Sequence, residues 1–474
     1  MGVQFLRDYF YGVNASGNEL TPGGETTGAG ALQSTSETTV ESVTLGAYIE
    51  QVIGWEDRRF FTAAVRLDDN SAFGKDFNAV VYPKLQASWV LSEESFYPQG
   101  LLPQGLRLRA AYGQSGQQPG TTDAITFLTP ATAAIAGTST PGLIVGALGN
   151  TELKPERSTE IELGFDADFA GRRAHLEFTY YNKKSDDALI SRQIAPSLGG
   201  PASRWENIGS VRNSGIEGAL TYAANVTSSI GLDVSLIGSY NTNELLTLGE
   251  GVSPIISGEQ RHVPGYPLFG YWDRPLLGYD DRDGDGIIEY NADPLLTEVF
   301  VGDTAEFLGY SIPRTGLGLN LGVTLFNNRL RIGGLLDYRA GFKQFNLTEY
   351  FRCTSSAANN CRGINDPDAP LDEQARAVAG RTPALGVTRA GYFEEADFLK
   401  LRELAFTFFA PDPWARSFGA SRLSFTITGR NLLTSTNYTG VDPELNQLGQ
   451  SDFTRDFLTQ PPVTYWTFRL QLGF

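Results

Sequence analysis

The clearest hydrophobic pattern in the chain is a strict alternation over its last twelve residues. One side of this segment carries Trp466, Phe468, Leu470, Leu472 and Phe474, and the residues between them are polar or small. A period of two predicts one long β-strand with an apolar and a polar face. Taken alone, this pattern fits a strand of a soluble sandwich and an insertion strand of an outer membrane equally well.

The same alternation recurs along the whole chain and predicts roughly fourteen strands near membrane-spanning length. In many of them one face is apolar and the other is polar, as in Leu317, Leu319 and Leu321 against Asn320. The predicted strands are residues 3–14, 42–53, 59–68, 84–92, 106–116, 157–169, 174–190, 213–225, 231–248, 314–326, 329–347, 397–411, 421–434 and 462–474.

The segments between these strands decide between the two architectures, because they alternate between long and short. The long ones are residues 15–41, 69–83, 117–156, 191–212, 249–313, 348–396 and 435–461. A membrane barrel has short turns on its periplasmic side and long loops outside, whereas a sandwich has no reason to keep this parity. The sequence therefore predicts an all-β fold, a transmembrane antiparallel β-barrel, with its long acidic loops outside the cell.

Composition agrees with a barrel and excludes other classes. The chain has 474 residues and no apolar run near the 18 that a membrane helix needs. Its net charge is −17, which argues against a nucleic-acid partner because such binding calls for a basic surface. The acidic excess suits long solvated loops.

The two cysteines, Cys353 and Cys361, lie close together in a predicted loop. The two histidines, His175 and His262, are distant from these cysteines in sequence, so a zinc site is disfavoured. A disulfide formed in an oxidising compartment is favoured instead. Residues 1–30 hold no basic segment followed by an apolar one, so we expect no signal peptide here and an amino-terminal part before Met1.

One short motif has metal-binding spacing. Asp281, Asp283 and Asp285 alternate and are followed by Gly286, which resembles the first half of a calcium loop. The position that would close an EF-hand is Ala292, and no flanking helices are predicted. The loop at residues 281–286 is therefore either a Ca²⁺ site or an Asp- and Gly-rich turn. No cofactor is otherwise required.

Two groups of side chains are candidates for solute binding. Aromatic rings in a polar loop suit stacking on sugars or peptides, although they also suit packing of the loop on the barrel rim. Arginines on a polar strand face bind a solute or plug inside the lumen, or pair with acidic neighbours. The candidates are Tyr266, Phe269, Tyr271, Trp272, Arg107 and Arg109.

Enzyme chemistry is not indicated. With His175 and His262 as the only histidines, the sequence offers no nucleophile–base constellation. The glycines at 316, 318 and 322 lack the spacing of a dinucleotide fingerprint, and a predicted strand runs through them. We therefore expect no catalytic activity.

Several short stretches, in this order, resemble the carboxyl-terminal barrel of SusC/RagA-like TonB-dependent outer-membrane transporters. Each stretch is weak alone, but together they cover nearly the whole chain. They are residues 57–66, 71–75, 82–94, 153–160, 180–183, 207–217, 398–402, 429–434 and 438–444, with the Asp/Gly loop among them.

The resemblance implies import of oligosaccharides or peptides, a SusD-like surface lipoprotein as partner, and energy from the TonB complex. Barrels of this type have 22 strands and a plugged lumen. Residues 1–474 would then be the carboxyl-terminal part of one barrel domain in the bacterial outer membrane, with the plug and TonB-contacting segments missing. The alternative is a passive pore, or a surface-binding or adhesin barrel.

Overall fold

The computed structural model describes residues 1–73, 79–98, 100, 103–135, 137–194, 203–358, 360–447 and 455–474. Fourteen strands form one antiparallel sheet, called the wall, in which each strand pairs with the wall strands before and after it. They are β1 Gly2–Leu20, β2 Gly30–Trp55, β3 Arg59–Asn70, β4 Val80–Val90, β5 Gly105–Gln117, β6 Glu156–Phe169, β7 Ala174–Gln193, β8 Ser203–Asn225, β9 Gly231–Thr247, β10 Thr315–Leu325, β11 Leu330–Ala340, β12 Phe398–Phe409, β13 Arg422–Thr436 and β14 Tyr465–Gly473.

Each of the fourteen predicted strands corresponds to one wall strand, so the all-β antiparallel prediction is confirmed. The register keeps side chains of one kind on one face. Phe468 of β14 lies opposite Ile427, and Leu470 lies opposite Phe425. We call this apolar side the lipid face, and the polar side, which carries Glu217 opposite Ser239, the lumen face. Among the described residues, β1 and β14 each pair on one side only.

The predicted loop at 15–41 was wrong. Strands β1 and β2 continue through most of it and leave only residues 21–29 as the connection. The pairing runs through small and polar residues, such as Asn14 opposite Ser36 and Gly12 opposite Thr38. Backbone pairing continues into water, whereas the hydrophobic alternation ends where lipid ends, so the pattern understated the strand lengths.

Two other predicted boundaries also change. The predicted connection 191–212 is mostly strand, because β7 reaches Gln193 and β8 begins at Ser203. The predicted strand 329–347 ends at Ala340, and its remainder is a separate strand, Lys343–Asn346, followed by a helix. Residues 74–78, 195–202 and 448–454, which fall in predicted connections, lie outside the described residues.

Three long connections at one end of the wall fold together into a body that we call the cap, formed by residues 248–314, 341–358, 360–397, 437–447 and 455–464. Its helices are α1 Leu347–Thr354, α2 Arg362–Asn365 and α3 Leu371–Arg381. Its strands are Ile255–Ser257, Gln260–His262, Gly270–Asp273, Leu276–Tyr279, Val299–Val301, Glu306–Gly309, Lys343–Asn346, Phe393–Glu395 and Arg455–Asp456. A separate hairpin, Phe127–Ile135 with Thr138–Ala147, fills the connection between β5 and β6.

The opposite end of the wall carries short turns. The turn between β10 and β11 is tight, with Asn327 and Asn328 in the left-handed region at φ 55° and 66°. A short helix, α4 Asp412–Ser417, connects β12 to β13. The long-loop and short-turn ends are therefore segregated, as expected for a membrane barrel.

The hydrophobic core of the molecule lies largely in the cap. One buried cluster includes Tyr271, Phe345, Tyr392 and Phe393, and a second joins Ile288 to helix α3. The wall instead exposes large apolar side chains on its lipid face. Within the described ranges, every helix is too short or too polar to cross a membrane.

Candidate functional site

The last strand places its apolar residues as the sequence predicted. Trp466, Phe468, Leu470 and Phe474 are 51%, 77%, 58% and 88% exposed, and Leu472 is 37% exposed. A row of this size is uncommon on a monomeric soluble protein and suits contact with lipid chains.

Among the four candidate aromatic residues, Tyr271 proves to be a core residue. It is 0% exposed, and its ring stacks on Phe393 with the centroids 4.6 Å apart. Its hydroxyl oxygen accepts a hydrogen bond from the backbone N–H of Phe345 at 3.3 Å. The packing interpretation therefore applies to Tyr271, and a solute cannot reach its ring in this conformation.

Tyr266 is the candidate ring that remains open to solvent, with 40% of its surface exposed. Its ring packs edge-on against Trp272, with the centroids 4.8 Å apart, and at a tilt against Phe307, with the centroids 5.3 Å apart. Phe269 lies apart from this group, at φ 61°, and packs against His262 at 5.0 Å. The cap thus offers an aromatic surface of Tyr266, Trp272 and Phe307.

The predicted disulfide is confirmed. Cys353 at the end of α1 and Cys361 before α2 are bonded, and both are nearly buried. Their side chains belong to the cap core that contains Tyr271 and Tyr392. Glu349 lies near the two sulfurs, but bonded sulfurs are not thiolate ligands, so this group is not a metal site.

The Asp/Gly loop brings its three carboxylates together. Oxygen atoms of Asp281, Asp283 and Asp285 lie within 4.8 Å of one another. Asp281 accepts hydrogen bonds from the backbone N–H groups of Gly284 and Gly286, at 2.8 and 3.0 Å. Convergent carboxylates could hold a divalent cation, while the bonds to Asp281 are also those of a structured turn.

Buried side chains fasten this loop to the rest of the cap. Glu298 is 4% exposed and accepts hydrogen bonds from the backbone N–H groups of Arg282 and Glu289. Gln374 of α3 donates to the carbonyl oxygen of Gly286 at 3.0 Å and accepts from the N–H of Ile288 at 2.9 Å. The carboxylates are thus held by a well-packed frame.

Arg107 and Arg109 lie on the lumen face of β5, where both contact neighbouring strands. Arg109 forms an ion pair with Asp166 at 2.9 Å, and Arg107 donates to the hydroxyl of Ser88 at 2.6 Å. Both border a concavity of about 250 Å³ that also includes Phe60. The side chain of Arg107 is 50% exposed, so it is the freer of the two.

A larger concavity on the lumen face, about 770 Å³, was not predicted from the sequence. Carboxylates, guanidinium groups and hydroxyls line it, and some of the charges are paired, as in Arg430 with Glu403 at 2.9 Å. Its polar lining includes Glu177, Glu217, Ser239, Arg339, Arg430 and Asn431. This lining can hydrogen-bond a polar solute or a polar protein surface.

An ion network that sequence reasoning also missed joins the cap to the wall. Lys400 and Arg402 on β12 reach Asp442 and Glu444 of the cap, and Arg402 also binds Asp337 of β11 at 2.6 Å. Two stretches used for the family resemblance, 398–402 and 438–444, supply four of these five residues. The opposite charges of these two stretches are visible in the sequence, but alternation along single strands does not show that the stretches meet.

Tyr438 extends this attachment into the cap core. Its hydroxyl donates to Asp456 at 2.6 Å, and burial raises the pKa of Tyr438. The next residue, Thr439, donates its backbone N–H and its hydroxyl to Glu394. The segment that begins at Tyr438 is therefore tied to the wall through Asp442 and to another cap connection through Glu394.

The fold, the apolar lipid face and the polar lumen face define this chain as an outer-membrane β-barrel protein. Residues 2–355 match the model of the family described as TonB dependent receptor-like, beta-barrel. The chain belongs to this family, whose members are outer-membrane receptors and transporters rather than enzymes.

Curated relatives and solved structures agree with this assignment. TonB-dependent receptor P26 of Formosa agariphila is 26% identical over 434 residues, which cover 84% of this chain and 42% of the relative. TonB-dependent receptor SusC of Bacteroides thetaiotaomicron is 24% identical, over 82% of this chain and 40% of SusC. The RagAB peptide importer in its open-open state matches with a TM-score of 0.79 and 20% identity, over all of this chain and 52% of that chain.

The SusC-like resemblance is therefore confirmed. The solved structure supports the fold alone, since its identity to this chain is low. The chain spans about two fifths of the length of the curated relatives that it matches.

Proposed function

We propose that the protein containing this barrel imports oligosaccharides or peptides across the outer membrane, with energy supplied by TonB. The fourteen strands would form part of a larger closed wall, and the concavities on the lumen face would line the solute path. A SusD-like surface lipoprotein would dock on the cap side and close over the solute. TonB would contact segments of the protein other than the wall and the cap.

The observation that carries this proposal is the combination of a polar lumen face with a folded cap on a wall of the TonB-dependent family. A passive pore needs only a wall and an open lumen. A cap with its own core and a buried ion-pair attachment to the wall is better explained by a protein that binds its solute before import. Tyr266, Trp272 and Phe307 give the cap an aromatic surface that suits sugar rings and peptide side chains.

Uptake measured in cells that carry the complete gene tests the proposal. Labelled oligosaccharides and labelled peptides would be supplied separately to cells with and without a functional TonB complex. We expect saturable accumulation of one of the two classes, and its loss without TonB. Linear uptake that is independent of TonB would contradict the proposal and favour a passive pore.

A Tyr266→Ala variant probes the cap in the same assay. Stacking of one ring contributes about 1 kcal/mol, so we expect a several-fold higher half-saturation concentration with expression unchanged. The matched control is Tyr279→Ala, which removes another cap tyrosine of similar exposure, 42%, outside the aromatic surface. An equal effect of both substitutions would argue against the assigned role of Tyr266.

We further propose that the loop at residues 281–286 binds Ca²⁺. The convergence of three carboxylates within 4.8 Å supports it. In the calcium-loop pattern the next ligands would come from the carbonyl oxygen of residue 287 and from Glu289. Terbium luminescence, with Ca²⁺ as competitor, tests the site. Asp283→Asn should abolish a calcium-sensitive signal, and a signal that survives this change would contradict the assignment.

A further inference from the structure

An apolar groove crosses the lipid face of the wall near its short-turn end. Its floor is made by three alanines on three successive strands, Ala63 of β3, Ala87 of β4 and Ala110 of β5. Ala87 lies directly opposite Ala110, and Ala63 lies opposite Leu85, one step further from the turn. The concavity above this floor measures about 520 Å³.

Bulky side chains on both sides turn the alanine floor into a groove. Phe61 lies opposite Ala87 on one side, and Leu163 lies opposite Ala110 on the other. Leu85 lies opposite Ala63 and bounds the groove on the side away from the turn. These three are 53%, 52% and 55% exposed, so they project from the wall while the alanines between them do not.

The depth of the groove in the membrane follows from its distance to the turn between β2 and β3. Ala63 lies four residues from Arg59, the first residue of β3, which is about 13 Å along an extended strand. Half the hydrocarbon core of a bilayer is about 15 Å. The groove therefore lies in the half of the membrane that faces the short turns, which is the periplasmic leaflet.

An aromatic belt marks the membrane boundary below the groove. Trp55 lies opposite Arg59, and Arg59 lies opposite Trp89. The guanidinium of Arg59 sits 6.0 Å from the centre of the Trp89 ring, and the indole N–H of Trp89 donates to Glu94 at 2.8 Å. Tryptophan with a polar partner is typical of the headgroup level.

We propose that this groove binds one acyl chain of a phospholipid from the periplasmic leaflet. The lipid face of the wall contacts lipid in an outer-membrane protein. A flexible hydrocarbon chain is narrow enough to enter a groove between projecting side chains. A second barrel would present a convex wall, which spans the projecting side chains and leaves the alanine floor empty. An empty floor forfeits dispersion contacts that a methylene chain supplies.

Filling the groove tests this proposal. Ala87→Phe and Ala110→Phe each place a ring where the chain would lie. Ala47→Phe is the matched control, because Ala47 is exposed on the same face of β2, opposite Leu67, outside the groove lining. The complete protein would be purified in detergent, stripped of lipid and titrated with phosphatidylethanolamine, and bound lipid would be counted by native mass spectrometry.

Wild-type protein and Ala47→Phe should bind one phospholipid tightly in the titration, and both groove variants should bind it about fivefold more weakly or worse. Heat-dependent gel mobility identifies folded barrels, and either groove variant suffices if the other fails to fold. Unchanged lipid affinity in a folded groove variant overturns the proposal. Loss of a dimer without loss of lipid also overturns it, because a second copy would then be the occupant.

Discussion

Lys400 donates hydrogen bonds to both carboxylate oxygens of Asp442, each at 2.7 Å. The two side chains are 5% and 8% exposed, so the pair is buried where the wall meets the cap. Glu444 accepts a further bond from Lys400 and one from Arg402. This contact fixes the last cap segment to strand β12.

Removal of the lysine charge should loosen the cap. Lys400→Met leaves Asp442 as a buried carboxylate without its partner, and breaking a buried pair in this way costs about 3–5 kcal/mol. We expect much faster proteolysis of the cap and a lower unfolding midpoint in denaturant. The control is Lys84→Met, since its pair with Glu50, at 3.5 Å, is exposed and worth at most about 1 kcal/mol. Equal effects of the two changes would contradict a structural role for the buried pair.

The same contact should weaken in acid. Burial alone favours the neutral form of Glu444, but hydrogen bonds from Arg402 and Lys400 outweigh it and lower the pKa of Glu444. A lowered pKa in the folded state contributes stability that is complete above the unfolded value, about 4.3, and is lost as the pH falls through the folded value.

Cap proteolysis of wild type and Glu444→Gln, compared between about pH 7 and pH 3, checks this dependence. The stability advantage of the wild type should be constant near neutrality and should shrink below about pH 4. An advantage that grows in acid would contradict the assigned charge state of Glu444.

Tyr271 should behave as a core residue and not as a solute contact. Tyr271→Ala removes a ring stacked on Phe393 and should cost about 3–5 kcal/mol of cap stability. Tyr271→Phe removes only the hydroxyl and should cost about 1 kcal/mol. Denaturant unfolding followed by tyrosine and tryptophan fluorescence measures both. A stable Tyr271→Ala variant with impaired solute binding would reverse the assignment.

The disulfide between Cys353 and Cys361 should stabilise the cap modestly. The loop that it closes is short, with a sequence separation of 8, and a chain-entropy treatment gives about 2–3 kcal/mol. Because both cysteines are nearly buried, reductant should leave the bond intact until the cap opens. Alkylation of the thiols followed by mass spectrometry reports this directly. Rapid reduction under native conditions would show that the pair is exposed.

The wall could be predicted from the sequence because the pattern that identifies each strand lies within that strand. The alternation of residues such as Trp466 and Phe468 with polar neighbours sets the face of every strand, and one strand suffices to read it. The ends of the strands could not be predicted, since pairing of β1 with β2 continues beyond the hydrophobic pattern, as far as Leu20.

The cap could not be predicted for a different reason. Its core joins residues that are distant in sequence, such as Tyr271 with Phe393, and periodicity holds no information about such contacts. The same limit applies to Lys400 and Asp442, which lie 42 positions apart. The cysteines were the exception, because two of them in one loop have a single pairing.

Labelling of introduced cysteines on intact cells tests the central claim most directly, namely that the wall spans the outer membrane with the cap outside. Both cysteines of this chain are in the disulfide, so an introduced thiol would be the reactive site within it, and the unsubstituted protein serves as the background control. Leu295→Cys places it on the cap, where Leu295 is 80% exposed, and Ser417→Cys places it on α4 at the short-turn end. A membrane-impermeant maleimide should label Leu295→Cys on intact cells, and Ser417→Cys only after the outer membrane is opened. Labelling of Ser417→Cys on intact cells, with Leu295→Cys protected, would contradict this orientation.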